Sequence, residues 1–127
     1  MVELTNLEQL EMQANQLSGV IPKDFIKALK SLSKLNIRKN FISGLLPDDD
    51  IRNSPRLKIF DASDNMLEAA SATISFSFPN LVWFYVENNM LNTRITDWKL
   101  DGSGVMNIRG NEFACPYPQG NLRKDLS

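Results

Sequence analysis

The sequence has no histidine and one cysteine, Cys115. Ser-His-Asp triads, Cys-His pairs and zinc sites built on histidines or several thiolates are thereby excluded. Paired carboxylates are the remaining acid–base chemistry. Glu11 and Asp61 are the pair that the periodicity described below brings into one column, but with Asn36 between them. Strands about 4.8 Å apart would leave their backbones roughly 10 Å from each other. The run Asp48-Asp49-Asp50 is a poor calcium loop, because its carboxylates are consecutive rather than spaced and no glycine follows. At the start of a helical turn the same residues would complement exposed amides. Asp101-Gly102-Ser103-Gly104 is a poor phosphate cradle, since it precedes a strand and no lysine follows. A tight turn accounts for it. The sequence therefore predicts no catalysis, no cofactor and no metal.

What the chain does offer is a repeated frame. Leu7 to Pro22 reads L-E-Q-L-E-M-Q-A-N-Q-L-S-G-V-I-P, and Leu32 to Pro47 reads L-S-K-L-N-I-R-K-N-F-I-S-G-L-L-P. Degraded copies begin at Leu57, Leu81 and Ser103. Asn15, Asn40, Asn65, Asn89 and Asn111 mark equivalent positions. Five residues before them stand Leu10, Leu35, Phe60, Phe84 and Met106, and three before stand Met12, Ile37, Ala62, Val86 and Ile108. Positions two apart share one side of a short strand. A single strand cannot bury such a side, but stacked strands from successive repeats can. The asparagines mark the corner where the strand turns inward. Their amides carry donors and an acceptor, which suits them to buried backbone groups.

This L-x-x-L-x-L-x-x-N-x-L pattern resembles the leucine-rich repeat family over about residues 4–116. Leu17-Ser18-Gly19-Val20-Ile21-Pro22 and Ile42-Ser43-Gly44-Leu45-Leu46-Pro47 look like the L-x-G-x-I-P extension of its plant-type subclass, common in receptor-kinase ectodomains. The resemblance implies an α/β fold: a right-handed solenoid with a parallel concave sheet of about five short strands and short helical or irregular convex segments. Repeats fall near 7–31, 32–56, 57–80, 81–102 and 103–116, with a C-terminal tail over 117–127. Glu68-Ala69-Ala70-Ser71 departs from the extension, so 69–73 reads as a looser or helical segment. Phe25 and Leu29 stand at helical spacing after Pro22. Phe76 and Phe78 are expected to re-enter the core, with Trp98 and Leu100 on the return side of the fourth repeat.

The net charge of -1 favours no nucleic-acid or anionic-membrane partner. No run of about twenty apolar residues could span a bilayer. Leu4 falls inside a repeat with no cap before it, which predicts marginal stability and self-association through uncapped ends. Cys115-Pro116 resembles the capping cysteine of secreted relatives, while a small idle thiol is the plainer reading. Asn53-Ser54-Pro55 is not a glycosylation sequon, which favours an intracellular or microbial setting.

The alternation leaves four columns facing outward on the concave side. They bring Ile59, Trp83 and Val105 together, then Asp61 and Tyr85, then Arg38, Glu87 and Arg109, with Lys39 in the last. Lys39 beside Asp64 and Glu87 beside Arg109 are expected as ladder pairs, each worth about 0.2–1 kcal/mol. Trp83 and Tyr85 oppose Phe84 and Val86. Aromatics on an open polar sheet suit a protein or peptide ligand, unless Tyr117 and Pro118 of the tail pack over them. The expected function is non-catalytic recognition of a protein or peptide by an extracellular or cell-surface receptor-like protein. The alternatives are a cytoplasmic scaffold or regulatory segment, or a spacer within a longer solenoid.

Overall fold

The computed structural model describes residues 6–114. The expectations for Leu4, Cys115, Pro116, Tyr117, Pro118 and the tail lie outside them. In chain order the elements are β1 (Gln9–Glu11), β2 (Ser18–Val20), α1 (Phe25–Ala28), β3 (Lys34–Asn36), β4 (Phe41–Leu45), α2 (Asp48–Arg52), β5 (Ile59–Asp61), β6 (Met66–Glu68), β7 (Thr73–Ser77), β8 (Trp83–Tyr85), β9 (Asn92–Lys99), β10 (Val105–Asn107) and β11 (Glu112–Phe113).

The front of the molecule is a five-stranded sheet of order β1-β3-β5-β8-β10. Every pair is parallel and in repeat register: Gln9, Lys34, Ile59, Trp83 and Val105 are successive partners. The middle residue of each strand points inward. Leu35, Phe60, Phe84 and Met106 are buried, and Leu10 on the first strand is half-buried. The in-register stack of apolar middles is the solenoid that the Asn-centred spacing predicts.

The asparagines hold the corner. Asn65 donates through Nδ2 to the carbonyls of Ile37, Ala62 and Ser63 at 2.9–3.2 Å, and its Oδ1 accepts the Ile42 amide at 3.0 Å. Asn40, Asn89 and Asn111 repeat this set on their own neighbours. An aspartate lacks the donors, so the residue type follows from the bond count. The residue before each asparagine has positive φ: Ala14, Lys39, Asp64, Asn88 and Gly110. The left-handed region favours Asn, Asp and Gly, and the later repeats supply those types where Ala14 and Lys39 do not.

Two further sheets line the sides and back, neither anticipated from the repeat spacing. One has the order β2-β4-β6. It accounts for the glycine of the L-x-G-x-I-P line. Gly44 has φ +84, and a Cβ there would lie 2.6 Å from Val20 Cγ1. The other has the order β11-β9-β7 and backs the last coils. The segment 69–73 is therefore not helical: bends at 70–72 lead directly into β7.

Among the described residues the two α-helical turns, α1 and α2, lie behind the first two coils. Ile26 in α1 and Leu29 at its C-terminal cap are buried, and Phe25 packs half-buried against the core. The acidic run does open α2, but Asp50 serves the neighbouring coil. Its carboxylate accepts the Ile26 and Lys27 amides of α1 at 2.9 and 3.1 Å. Burial raises its pKa above the usual carboxylate value, and the two amides act against that rise. Arg52 closes α2 with ion pairs to Asp48 and Asp49, donates to the Ser75 carbonyl at 2.7 Å, and lies 5.3 Å from the Phe78 ring centre. Phe76 and Phe78 are in the core as expected, clustered with Phe84 and Phe60. Asp101 to Gly104 is the tight turn, closed by the Gly104 amide on the Asp101 carbonyl at 3.0 Å.

Candidate interaction surface

Alternation along β8 fixes the orientation of its side chains. Phe84 is fully buried, so Trp83 and Tyr85 face the other way. Their rings lie nearly parallel, 6° apart with centres 6.3 Å from each other. Trp83 is 42% exposed and Tyr85 is half-buried. Ile59 and Val105 are the register partners of Trp83 on the flanking strands, so an apolar row of three crosses the middle of the sheet. The structure thus brings together the four apolar residues that the columns predict.

The polar candidates are arranged differently. Strands end at Glu11, Asn36, Asp61, Tyr85 and Asn107. Arg38, Lys39, Glu87 and Arg109 therefore occupy the corner beyond the sheet rather than its flat part. Asp61 is only 9% exposed, and its Oδ1 accepts the Ser63 amide at 3.0 Å. Asn36 and Asn107 make the same bond two residues ahead. Short amide or carboxylate side chains at this position end the strand with a local turn. Asp61 is thus committed to the fold. The signal for this was in the sequence, as Asn or Asp in three of five repeats.

The expected ladder pairs shift by one place. Arg38, not Lys39, reaches Asp64, at 3.5 Å, and Asn88 also donates to that carboxylate at 2.8 Å. Lys39 has left-handed backbone at the corner and is in no ion pair among the described residues. Glu87 accepts from the Asn107 amide at 3.0 Å in place of pairing with Arg109. Lys34 and Glu11, which stand in different columns, form an ion pair at 2.9 Å that the columns did not predict. Glu11 is thereby occupied, and β3 separates it from Asp61, so the two carboxylates do not converge. Among the described residues no group of three His, Cys, Asp or Glu is placed to hold a metal. No described helix is long and apolar enough to cross a membrane.

Repeat reading missed a second exposed feature. Phe41, Met66 and Met90, one residue after successive asparagines, are 55%, 40% and 58% exposed. They are exposed apolar residues at equivalent positions of three successive repeats, just past the corner.

Comparison with known proteins agrees with this geometry. The Leucine Rich Repeat family model matches residues 6–28. The ectodomain of the Arabidopsis thaliana receptor kinase SOBIR1 superposes with a TM-score of 0.66 at 25% identity, over 88% of this chain and 63% of that one. The Arabidopsis receptor kinase HAESA, solved with the peptide hormone IDA and the co-receptor SERK1, gives 0.63 at 26% identity, over 88% and 23%. The chain spans under two thirds of either structure. No curated protein matches it in sequence.

Proposed function

We propose that this chain, a solenoid similar to the leucine-rich-repeat ectodomain of a plant receptor kinase, recognises a protein or peptide on its concave sheet, as part of an extracellular or cell-surface receptor-like protein. The observation that carries this reading is the Trp83–Tyr85 pair on β8, stacked on a sheet whose opposite face is filled by Phe84. A half-exposed aromatic pair flanked by Ile59 and Val105 supplies apolar contact area at low entropic cost, as binding anchors do. Arg38, Lys39, Glu87 and Arg109 rim this centre from the corner. The ectodomain likeness supports both the interaction role and the extracellular setting.

The test uses a peptide selected from a display library on the wild-type chain. The double change Trp83→Ala with Tyr85→Ala is expected to weaken its binding by about tenfold or more, in line with buried aromatic anchors. Unchanged affinity with an unchanged circular-dichroism spectrum would remove the concave anchor.

A further inference from the structure

The edge by which the chain enters β3 and β5 is basic. Glu8, Ser31, Ser33, Pro55, Arg56 and Lys58 line an open hollow there of about 380 Å³. A second hollow of about 270 Å³ shares Pro55 and Arg56 with it and adds Lys27 and Lys30. All four cations are exposed, and none belongs to an ion pair among the described residues. By contrast, Lys34 and Arg38 on the front and Arg52 on the back are each paired with carboxylates. The counter-charges nearby are few. Glu8 lies in the first hollow. Asp50 and Asp24 stand near Lys27, since both the Lys27 charge and Asp24 act on the Asp50 carboxyl. Lys30, Arg56 and Lys58 are thus three cations with the single carboxylate of Glu8 among them, on a chain of net charge -1.

This edge adjoins the aromatic row. The Lys58 carbonyl accepts the amides of Val82 and Trp83 at 2.7 and 3.1 Å, and Ile59 follows it directly. The basic character is local to this entry, because Glu8 and Ser33 take the place of Lys58 in the earlier coils and Val82 and Gly104 in the later ones. Lys27 and Lys30 precede β3, and Arg56 and Lys58 precede β5, so the cations extend over one strand spacing, roughly 5 Å, across the edge, and over two residues, roughly 7 Å, along the chain that enters β5. A long polyanion gains from a longer track. A short run of carboxylates fits this one, with guanidinium and ammonium donors matched to it.

We propose that the partner of the concave face is an acidic peptide segment, in which an apolar or aromatic residue meets Trp83 and Tyr85 and two or three neighbouring carboxylates meet Lys30, Arg56 and Lys58. This rests on the concave reading given above and specifies the chemistry of its ligand. The probe is a fluorescein-labelled synthetic peptide with one tryptophan, a short glycine spacer and three consecutive aspartates, read by fluorescence anisotropy. Charge reversal by Arg56→Glu with Lys58→Glu is expected to weaken binding by about tenfold. The neutral pair Arg56→Gln with Lys58→Gln should give a smaller loss in the same direction. Wild-type affinity should fall as salt is raised, because the contacts are solvent-exposed and screened. Circular dichroism checks that each variant is folded.

The variants separate the two readings. Loss on charge reversal, with no effect of Trp83→Ala and Tyr85→Ala, keeps the acidic-peptide edge and removes the aromatic anchor. The opposite result overturns the edge and keeps the anchor. Equal binding of a peptide with asparagines for aspartates overturns the proposal. So does failure of the wild type to bind the probe, or binding of a sulfated hexasaccharide in its place.

Discussion

Behind β3 the chain leaves β4 at Leu46, passes Pro47 and winds into α2. Behind β5 and β8 it runs instead into the extended β7 and β9. The front sheet is continuous across this change, in register from Gln9 to Val105. The back is thus free to vary while the front is not. Where proline and acidic residues follow the apolar line, a helical turn forms and buries Ile26, Leu29 and Ile51. Where they are missing, β-branched and aromatic residues form strands and bury Phe76 and Phe78. Extended chain covers more distance per residue than helix, about 3.3 Å against 1.5 Å. The later coils are shorter accordingly: 25 residues separate Asn40 from Asn65, and 22 separate Asn89 from Asn111.

The two halves should respond unequally to damage. The largest effect is expected at Phe84, which meets Phe60, Phe76 and Phe78 with ring centres 4.7–5.9 Å away. Phe84→Ala should cost about 3–5 kcal/mol in urea unfolding. An aliphatic truncation in the helical half, Ile51→Ala, should cost less, at the low end of about 2–5 kcal/mol. Equal losses would mean that the aromatic cluster is no better packed than the helical coils.

The asparagine ladder gives an intermediate effect with its own gradient. Asn65→Ala orphans the Ile42 amide and removes donors from buried carbonyls, and should cost about 2–3 kcal/mol. Asn15 is exposed and, among the described residues, bonds the carbonyls of Met12 and Gln13 in its own coil. Its replacement by alanine should cost under about 1 kcal/mol. Equal costs would show that the ladder acts within single coils, without coupling neighbours.

The smallest effect concerns the link between the two helical turns. Asp50→Ala removes the acceptor for the first amides of α1 and should cost about 1 kcal/mol near neutral pH. The pH dependence has a definite sign. Burial raises the folded-state pKa of Asp50, so the folded protein favours the protonated form. The group's contribution is then greatest below the unfolded carboxylate value and declines as pH rises through the raised folded one. Relative to Asp50→Asn, wild-type stability should fall as pH rises across that window. The opposite slope would place the two amides, not burial, in control.

The period alone fixed the front strands, their register and which side chains point inward, because a two-residue alternation on a stacked frame has one way to bury its apolar side. It also placed Trp83 and Tyr85 together, since both follow from the position of Phe84. The flanking and back sheets were not legible, because they depend on how far one coil's Val20 or Ile74 lies from the next. The same holds for ion pairs: Arg38 and Lys39 are adjacent in sequence, and the arrangement of the corner, not their order, brings Arg38 to Asp64. Asp50 capping α1 and Arg52 lying over Phe78 are likewise contacts between coils. Spacing along the chain determines what each coil contributes to the interior, whereas the offset between coils, set by packing, determines which polar groups meet.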